Sequence, residues 1–368
     1  MVSMDLTPAF SKNNVPVVFA SDDKYVFYLS VVLASLKGHS DINSNYDIVV
    51  LSFNISEGNK TVLRLMFGSC PNFSLRFIEV EEFFKNHEFF IDRYLSLSTY
   101  SRLFIPEIFS KYQKVVYLDS DLVLNADVKE LYDIDLKDKC LLACRDLGFV
   151  SGTIRKDKFF GDNYAVNQLH IDNYFEYFNA GVLVFNVEAI KKQGKDKVFF
   201  DKLRELKKPI FHDQDVLNAS CYGSVAFAPN MWNFSFYPDE EIRALPEDFK
   251  KLYKEAAENP KIVHFVGFEK PWHSFQKPFA FLWWCWARKS PFYELILKKN
   301  EASLSDIDFE KREYFVRLFG YVPFGRVTVQ NNKIKYLIWK IPVFKLKRNK
   351  QSRQIFLFNI PCFKVILK

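Results

Sequence analysis

Short apolar runs alternate with longer amphipathic ones through the first hundred residues, and this rhythm restricts the chain to an α/β architecture. Residues 16–20, 47–53 and 75–80 read as strands, and residues 25–36 and 59–67 between them read as helices. A βαβαβ order predicts a mostly parallel sheet with helices on its faces, its first strand ending at Ala20-Ser-Asp-Asp23. Further along, residues 99–109, 188–206 and 212–219 have helical character, while 140–144, 178–186 and 261–266 are strand-like. Gly267 and the Pro-Trp pair at 271–272 mark a loop after the last of these.

One strand candidate carries chemistry. Residues 115–125 read Val-Val-Tyr-Leu-Asp-Ser-Asp-Leu-Val-Leu-Asn, an apolar run that ends in two carboxylates, Asp119 and Asp121. The triplet recurs at Asp133/Asp135, Asp213/Asp215 and Asp306/Asp308, but only the first copy follows an uninterrupted hydrophobic strand. In open α/β sheets ligands gather outside the carboxyl ends of strands. Carboxylate oxygens there suit a hard cation, Mn²⁺ or Mg²⁺, able to neutralise the phosphates of a nucleotide as it leaves. A solvated acidic turn is the competing reading of this segment taken alone.

Composition excludes several classes. With 368 residues, 49% hydrophobic and 17% aromatic, the chain can bury a large core with an appendage to spare, and 40 Phe and 18 Tyr against 12 Gly argue against disorder. Residues 1–14 are polar and give no expectation of a secretory signal, and the longest apolar cluster, 279–287, is too short to cross a bilayer. Six cysteines without a C-x-x-C pair suit a reducing compartment, with Cys140 and Cys144 expected as buried free thiols. The net charge of +7 divides unevenly: residues 314–368 hold twelve Lys or Arg and no Asp or Glu, leaving residues 1–313 at 7 − 12 = −5. An acidic body with a basic tail is not the pattern of a nucleic-acid binder, and no nucleic-acid partner is expected.

The tail also repeats. Pro323, Pro342 and Pro361 are nineteen residues apart, each preceded by an aliphatic residue, with a base three positions on and an aliphatic four on. Three copies at a fixed period predict stacked short β units. Bases interleaved with Trp339, Phe344, Phe356, Phe358 and Phe363 suggest docking on an anionic membrane surface.

Six segments, Phe19-Ala-Ser-Asp-Asp-Lys-Tyr25, Ser98-Thr-Tyr-Ser-Arg102, Leu118-Asp-Ser-Asp121, Phe178-Asn-Ala-Gly-Val-Leu183, His212-Asp-Gln-Asp215 and His264-Phe-Val-Gly-Phe-Glu-Lys-Pro-Trp272, occur in that order. Together they resemble the motifs of family 8 glycosyltransferases over about residues 15–275, most of all bacterial galactosyl- and glucosyltransferases of the lipopolysaccharide type. The resemblance implies a GT-A fold, an α/β architecture with a Rossmann-like mixed sheet flanked by helices, over residues 1–290, followed by a helical segment and the basic repeats at 291–368. It implies transfer of glucose or galactose from a UDP-hexose, with retention, to a glycan or lipid-linked saccharide in cell-surface polysaccharide or lipopolysaccharide biosynthesis. A cytoplasmic enzyme, peripherally attached to the membrane, is the matching expectation.

Residue by residue, the resemblance gives the uridine to Ala20, Asp22 and Tyr25, with Tyr25 stacking on the base. It gives the metal to Asp119, Asp121 and His264, and the phosphates to the same loop with Ser120 and to Gly267 and Lys270. Arg102, Asp146, Asn179, Asp213 and Gln214 would hold the donor sugar. Gln214 would stand near the anomeric carbon, with Asp215 as the nearest carboxylate nucleophile; a covalent route and a front-face route both stay open. Lys24 departs from the small amide common at its position and receives no role. The alternative is a UDP-sugar- or glycan-binding protein that keeps the fold without catalysis.

Overall fold

The computed structural model describes residues 6–85, 87–90, 97–157 and 163–306, and six further strands between residues 312 and 366. The chain forms two compact units, Met1–Ile296 and Leu297–Lys368.

The first unit is built on β1 (Asn14–Asp22), β2 (Asn45–Phe53), β3 (Phe73–Glu79), β4 (Lys114–Leu118), β5 (Leu122–Leu124), β6 (Leu141–Arg145), β7 (Phe178–Asn186), β8 (Val225–Phe227) and β9 (Ile262–His264). Seven strands form one sheet in the order β3-β2-β1-β4-β7-β6-β8. The pairs β1/β2, β2/β3, β1/β4 and β6/β8 are parallel, while β7 runs antiparallel to both its neighbours. The sheet is therefore mixed. Strands covered on both faces read as continuous apolar runs, and β1 is buried without a break from Val15 to Phe19. The helix Val26–His39 is buried along most of its length because it lies between β5 and the helix Ala280–Ala287.

Two helices differ from expectation. Residues 99–109 form a 3₁₀ segment, Leu97–Phe104, and a short α-helix, Ile105–Ile108. Pro106 has no N–H for the Arg102 carbonyl, and its ring would clash with that group in an α-helix. The 188–206 stretch is two helices, Val187–Lys192 and Lys195–Leu206, parted at Gly194, whose φ is +67°. Cys70, Cys140, Cys144, Cys221 and Cys285 are free thiols, and burial pushes Cys144 up to about 12, which makes it an inert packing residue. Among the described residues no helix is long and apolar enough to cross a membrane.

The pairing of β5 with β9 was not legible in the sequence. Leu122 faces His264 and Leu124 faces Ile262 in this small two-stranded sheet. The acidic triplet thus leaves the end of β4 and connects it to β5.

The second unit is an antiparallel meander of β10 (Arg312–Leu318), β11 (Val322–Gln330), β12 (Lys333–Ile338), β13 (Ile341–Arg348), β14 (Ser352–Leu357) and β15 (Ile360–Ile366), each paired with the next. The nineteen-residue period is one pair of strands. Pro323, Pro342 and Pro361 each stand second in a strand, and the register skips Phe324, Val343 and Cys362, one residue after each proline. A bulge at each repeat accommodates a residue that cannot donate to the ladder. Phe344 and Phe363 fall on one face with Leu346 and Ile355, whereas Phe356 shares the other with Lys345. Trp339 and Phe358 lie outside the described residues.

Candidate active site

The sheet topology gathers the motifs at one end. From β1 the chain works outward to β3 and returns on the other side of β1 as β4, so a crevice opens beyond the carboxyl ends of β1 and β4. Ala20 and Asp22 finish β1, and Asp119 follows β4. Because β7 is antiparallel to β4, its beginning lies beside the end of β4, and the Asp119 N–H donates to the Gly181 carbonyl at 2.8 Å. Asp146, just past β6, donates its N–H to the Tyr177 carbonyl at 2.9 Å. Two adjoining compartments result, of about 120 and 210 Å³, sharing Thr99, Arg102, Asp119, Asp121 and Lys270.

Asp119, Asp121 and His264 offer ligand atoms within 4.8 Å of one another. His264 Nε2 is 3.1 Å from Asp121 Oδ1 and 3.7 Å from Asp119 Oδ2, and its Nδ1 is 2.9 Å from Asn233 Oδ1. Donor and acceptor logic fixes the tautomer, starting from a backbone N–H that has no alternative. Gly181 N–H donates to Asn179 Oδ1 at 2.9 Å, so the Asn233 group that also meets this oxygen at 2.9 Å is its amide nitrogen. Asn233 therefore presents Oδ1 to His264, Nδ1 carries a proton, and Nε2 faces two carboxylate oxygens. Three ligand atoms thus converge on one point where a cation can be held. Oxygens of two carboxylates with one imidazole fit Mn²⁺ or Mg²⁺, and the Nδ1 contact supplies the outer hydrogen bond that orients a metal-bound histidine.

The close approach needs a glycine. A Cβ on Gly181 would lie 2.2 Å from His264 Cε1 and 2.8 Å from Asp119 Oδ2. Neither Gly181 nor Asn233 was singled out from the sequence. Gly181 was legible within its Asn-Ala-Gly motif, but Asn233, in a 3₁₀ turn at Asn230–Asn233 remote from every motif, gave no signal.

Two cations offset the carboxylates. Buried Arg102 pairs through Nη2 with Asp119 Oδ1 at 2.9 Å and through Nε with Asp213 Oδ2 at 2.8 Å, and its Nη1 donates to the Ala180 carbonyl. Lys270 Nζ lies 2.5 Å from Asp121 Oδ2 and donates to the Phe265 carbonyl at 2.8 Å. Burial alone would raise the Asp121 carboxyl, but Lys270 and His264 outweigh it and hold the group far below the usual carboxylate range. Burial raises Asp213 in spite of Arg102.

A second pair of amides is fixed in the same manner. Ala180 N–H donates to Gln214 Oε1 at 2.9 Å, so Gln214 turns its amide nitrogen to Asp146 Oδ2 at 3.1 Å, where the Asn179 amide also donates at 3.2 Å. Asp146 Oδ1 caps the helix Leu147–Arg155 by accepting from Phe149 N–H. Asp213 and Gln214 line the larger compartment at the start of the helix Asp213–Cys221. His212 before them holds φ +52° and ψ −124°, a strained backbone for a residue with a Cβ. Asp215 is not brought to the cavity. It is fully buried, and it accepts from Tyr177 OH at 2.6 Å, Tyr164 OH at 2.7 Å and Phe211 N–H at 2.7 Å.

At the other end Ala20, Ser120 and half-buried Tyr25 line the smaller compartment. Asp22 Oδ1 accepts from the N–H groups of Lys24 and Tyr25 at 2.9 and 2.8 Å, closing the turn that carries Tyr25. Ser120 Oγ donates to the Ala20 carbonyl at 3.1 Å and ties the acidic loop to β1. Gly267 adopts φ +81°, which a residue with a Cβ rarely does.

Residues 16–276 match the pattern defining glycosyl transferase family 8. The chain belongs to that family. It is similar to a presumed glycosyltransferase of Haemophilus influenzae, 30% identical over 70% of this chain and 72% of the relative. It is also similar to a lipopolysaccharide 1,3-galactosyltransferase of Salmonella typhimurium, 27% identical over 48% of this chain and 50% of that one. Among solved structures, the bifunctional glycosyltransferase WbbM superposes with a TM-score of 0.70 at 34% identity, over 80% of this chain and 53% of that longer one. The galactosyltransferase LgtC, solved with donor and acceptor sugar analogues, gives a TM-score of 0.62 at 27% identity over 75% and 96% of the two chains. The fold is the GT-A fold of these enzymes.

Two outcomes follow for this family 8 site. Gly181→Ala should displace the His264 ring and lower Mn²⁺ affinity on the order of 10- to 100-fold without unfolding the protein. Titration calorimetry with Mn²⁺ checks it, and unchanged affinity would contradict the geometry. Burial pushes the Asp215 carboxyl up to about 6, above its unfolded value of about 4, despite its three donors. The folded chain thus holds a proton that the unfolded chain releases; this stability is present below about pH 4 and lost as pH rises through about 6, roughly 2–3 kcal/mol in all. Asp215→Asn cannot ionise, so relative to the variant the native protein should lose that stability between pH 4 and 7 in urea titrations. A difference independent of pH would refute the assignment.

Proposed function

We propose that this family 8 enzyme transfers a glucosyl or galactosyl group from a UDP-hexose, with retention, to a glycan or lipid-linked saccharide in lipopolysaccharide or related surface-polysaccharide biosynthesis. The reaction is placed on the cytoplasmic side of the membrane. The observation that carries the reading is the convergence of Asp119, Asp121 and Nε2 of His264 at the base of a crevice lined by Tyr25 at one end and Gln214 at the other. The likeness to LgtC and to the Salmonella enzyme supports the substrate class.

In this reading Asp119, Asp121 and His264 hold Mn²⁺ or Mg²⁺, which neutralises the diphosphate of the donor. Ala20, Asp22 and Tyr25 receive the uridine, the Tyr25 ring giving an apolar face to the base. Ser120, Gly267 and Lys270 serve the phosphates, and Lys270 would exchange its Asp121 contact for a phosphate oxygen as UDP departs. Arg102, Asp213, Asn179, Asp146 and Gln214 orient the hexose, each pinned by contacts that leave its direction fixed. Asp215, enclosed by two tyrosines and a backbone N–H, acts as a positioning residue that seats Tyr177 beside Gln214. Its burial favours front-face transfer, in which the acceptor oxygen bonds to C1 on the face that UDP leaves and the acceptor proton passes to the departing phosphate.

Incubation with UDP-glucose and UDP-galactose in Mn²⁺ should release UDP, and Asp121→Ala or excess EDTA should abolish release. Release undiminished by EDTA would exclude the metal, and donor binding without release would make the chain a binding protein. Lys270→Ala should weaken UDP binding by roughly 10- to 100-fold, the value of a charge-assisted contact of about 1.5–3 kcal/mol. Calorimetry with UDP and Mn²⁺ measures it, and wild-type affinity would remove Lys270 from the donor site.

A further inference from the structure

The two cations of the acidic cluster are held in unlike ways. Arg102 pairs with Asp119 and Asp213, donates to the Ala180 and Thr99 carbonyls, and lies over the Tyr117 ring at 4.4 Å. Lys270 is held through its Nζ alone, by Asp121 Oδ2 at 2.5 Å and the Phe265 carbonyl at 2.8 Å. The loop turns back on itself to make these contacts. Phe265 N–H donates to the Asp121 carbonyl at 3.0 Å, Gly267 takes φ +81°, and Lys270 returns to the carbonyl of Phe265. The ammonium is thus aimed at Asp121, yet it ends a flexible four-carbon stem and borders both compartments.

Asp121 divides its oxygens between two neighbours. Oδ1 lies 3.1 Å from His264 Nε2, on the side of the metal ligands, and Oδ2 meets Lys270. The charge of each ligand carboxylate is already matched, Asp119 by Arg102 and Asp121 by Lys270. A divalent ion entering beside these pairs meets a cluster that has been neutralised, in a buried place where like charges repel more strongly than in water. Arg102 cannot withdraw without breaking its other contacts. Lys270 can withdraw where an anion receives it, and a nucleotide diphosphate is such an anion.

We propose that Lys270 makes divalent-metal binding depend on the nucleotide diphosphate. Ammonium and metal ion contend for Asp121, and phosphate oxygens resolve the contest by taking the ammonium and adding negative charge of their own. Each ligand then binds more tightly once the other is present. The inference rests on the metal and UDP reading given above and adds to it a second task for Lys270, that of keeping the acidic pair neutral until the donor arrives.

Mn²⁺ is titrated into the full chain with and without saturating UDP, the free ion being followed by its paramagnetic resonance signal and UDP binding by calorimetry. Lys270→Gln keeps a donor for the Phe265 carbonyl, and Lys270→Met keeps only the length of the side chain; both remove the charge. Each variant should bind Mn²⁺ alone more tightly than the wild type, on the order of 10-fold, while binding UDP more weakly. The factor by which UDP tightens Mn²⁺ should shrink accordingly, and by linkage so should the factor by which Mn²⁺ tightens UDP. A lysine that only holds the loop in shape would, on removal, weaken both ligands. One that serves the phosphates alone would leave the affinity for Mn²⁺ unchanged. Either result in both variants, with circular dichroism like that of the wild type, would overturn the proposal. No binding of Mn²⁺ by the wild type even with UDP would overturn the metal reading and this inference with it.

Discussion

Three carboxylates crowd the mouth of this sheet, and the structure around them exists to make that tolerable. Among the described residues, Asp119, Asp121 and Asp213 pair with two permanent cations, Arg102 and Lys270, and Asp213 is buried. Unpaired, each would be costly. Arg102 spans two of them, and it can do so because Pro106 breaks the helical path and leaves a 3₁₀ segment that presents the guanidinium to both. Lys270 takes the third. What remains is the gap between the carboxylates and His264 Nε2, where a further cation can be held.

The direction of β7 gives this cluster its definition. Reversed relative to β4 and β6, it delivers two consecutive backbone N–H groups, those of Ala180 and Gly181, to Gln214 and Asn179. Neither amide can then turn over, and the fixed amides orient Asp146, Asn233 and finally His264. A sugar-binding wall and a metal-binding imidazole are thus set by the same two peptide groups. This explains why Gly181 has no room for a side chain: the strand that carries the fixed donors must also pass against the ring it orients.

The second unit follows a different logic. Its order is local, one antiparallel pair per nineteen residues, and its faces follow from alternation alone. The bulge after each proline recurs at the same place in all three copies.

Much of this was legible in the sequence. The βαβ rhythm, the sheet and the strand-end position of Asp119 and Asp121 follow from periodicity and local chemistry, which act over a few residues, while the grouping of six ordered motifs came from the family resemblance. The sequence also determined that the tail would be a repeated β structure carrying charge of one sign. Only the tertiary structure decided which motif residues face the crevice. Gln214 and Asp215 are neighbours in the chain, yet one helical step sends the first to the cavity and the second into the core between Tyr164 and Tyr177. It alone decided that β5 pairs with β9, which carries His264 across 143 residues to Asp121. It alone made Asn233 part of the site. Contacts between distant segments depend on how strands are ordered and directed in a sheet, and hydrophobic pattern, which records only which side of each strand is buried, does not encode that order.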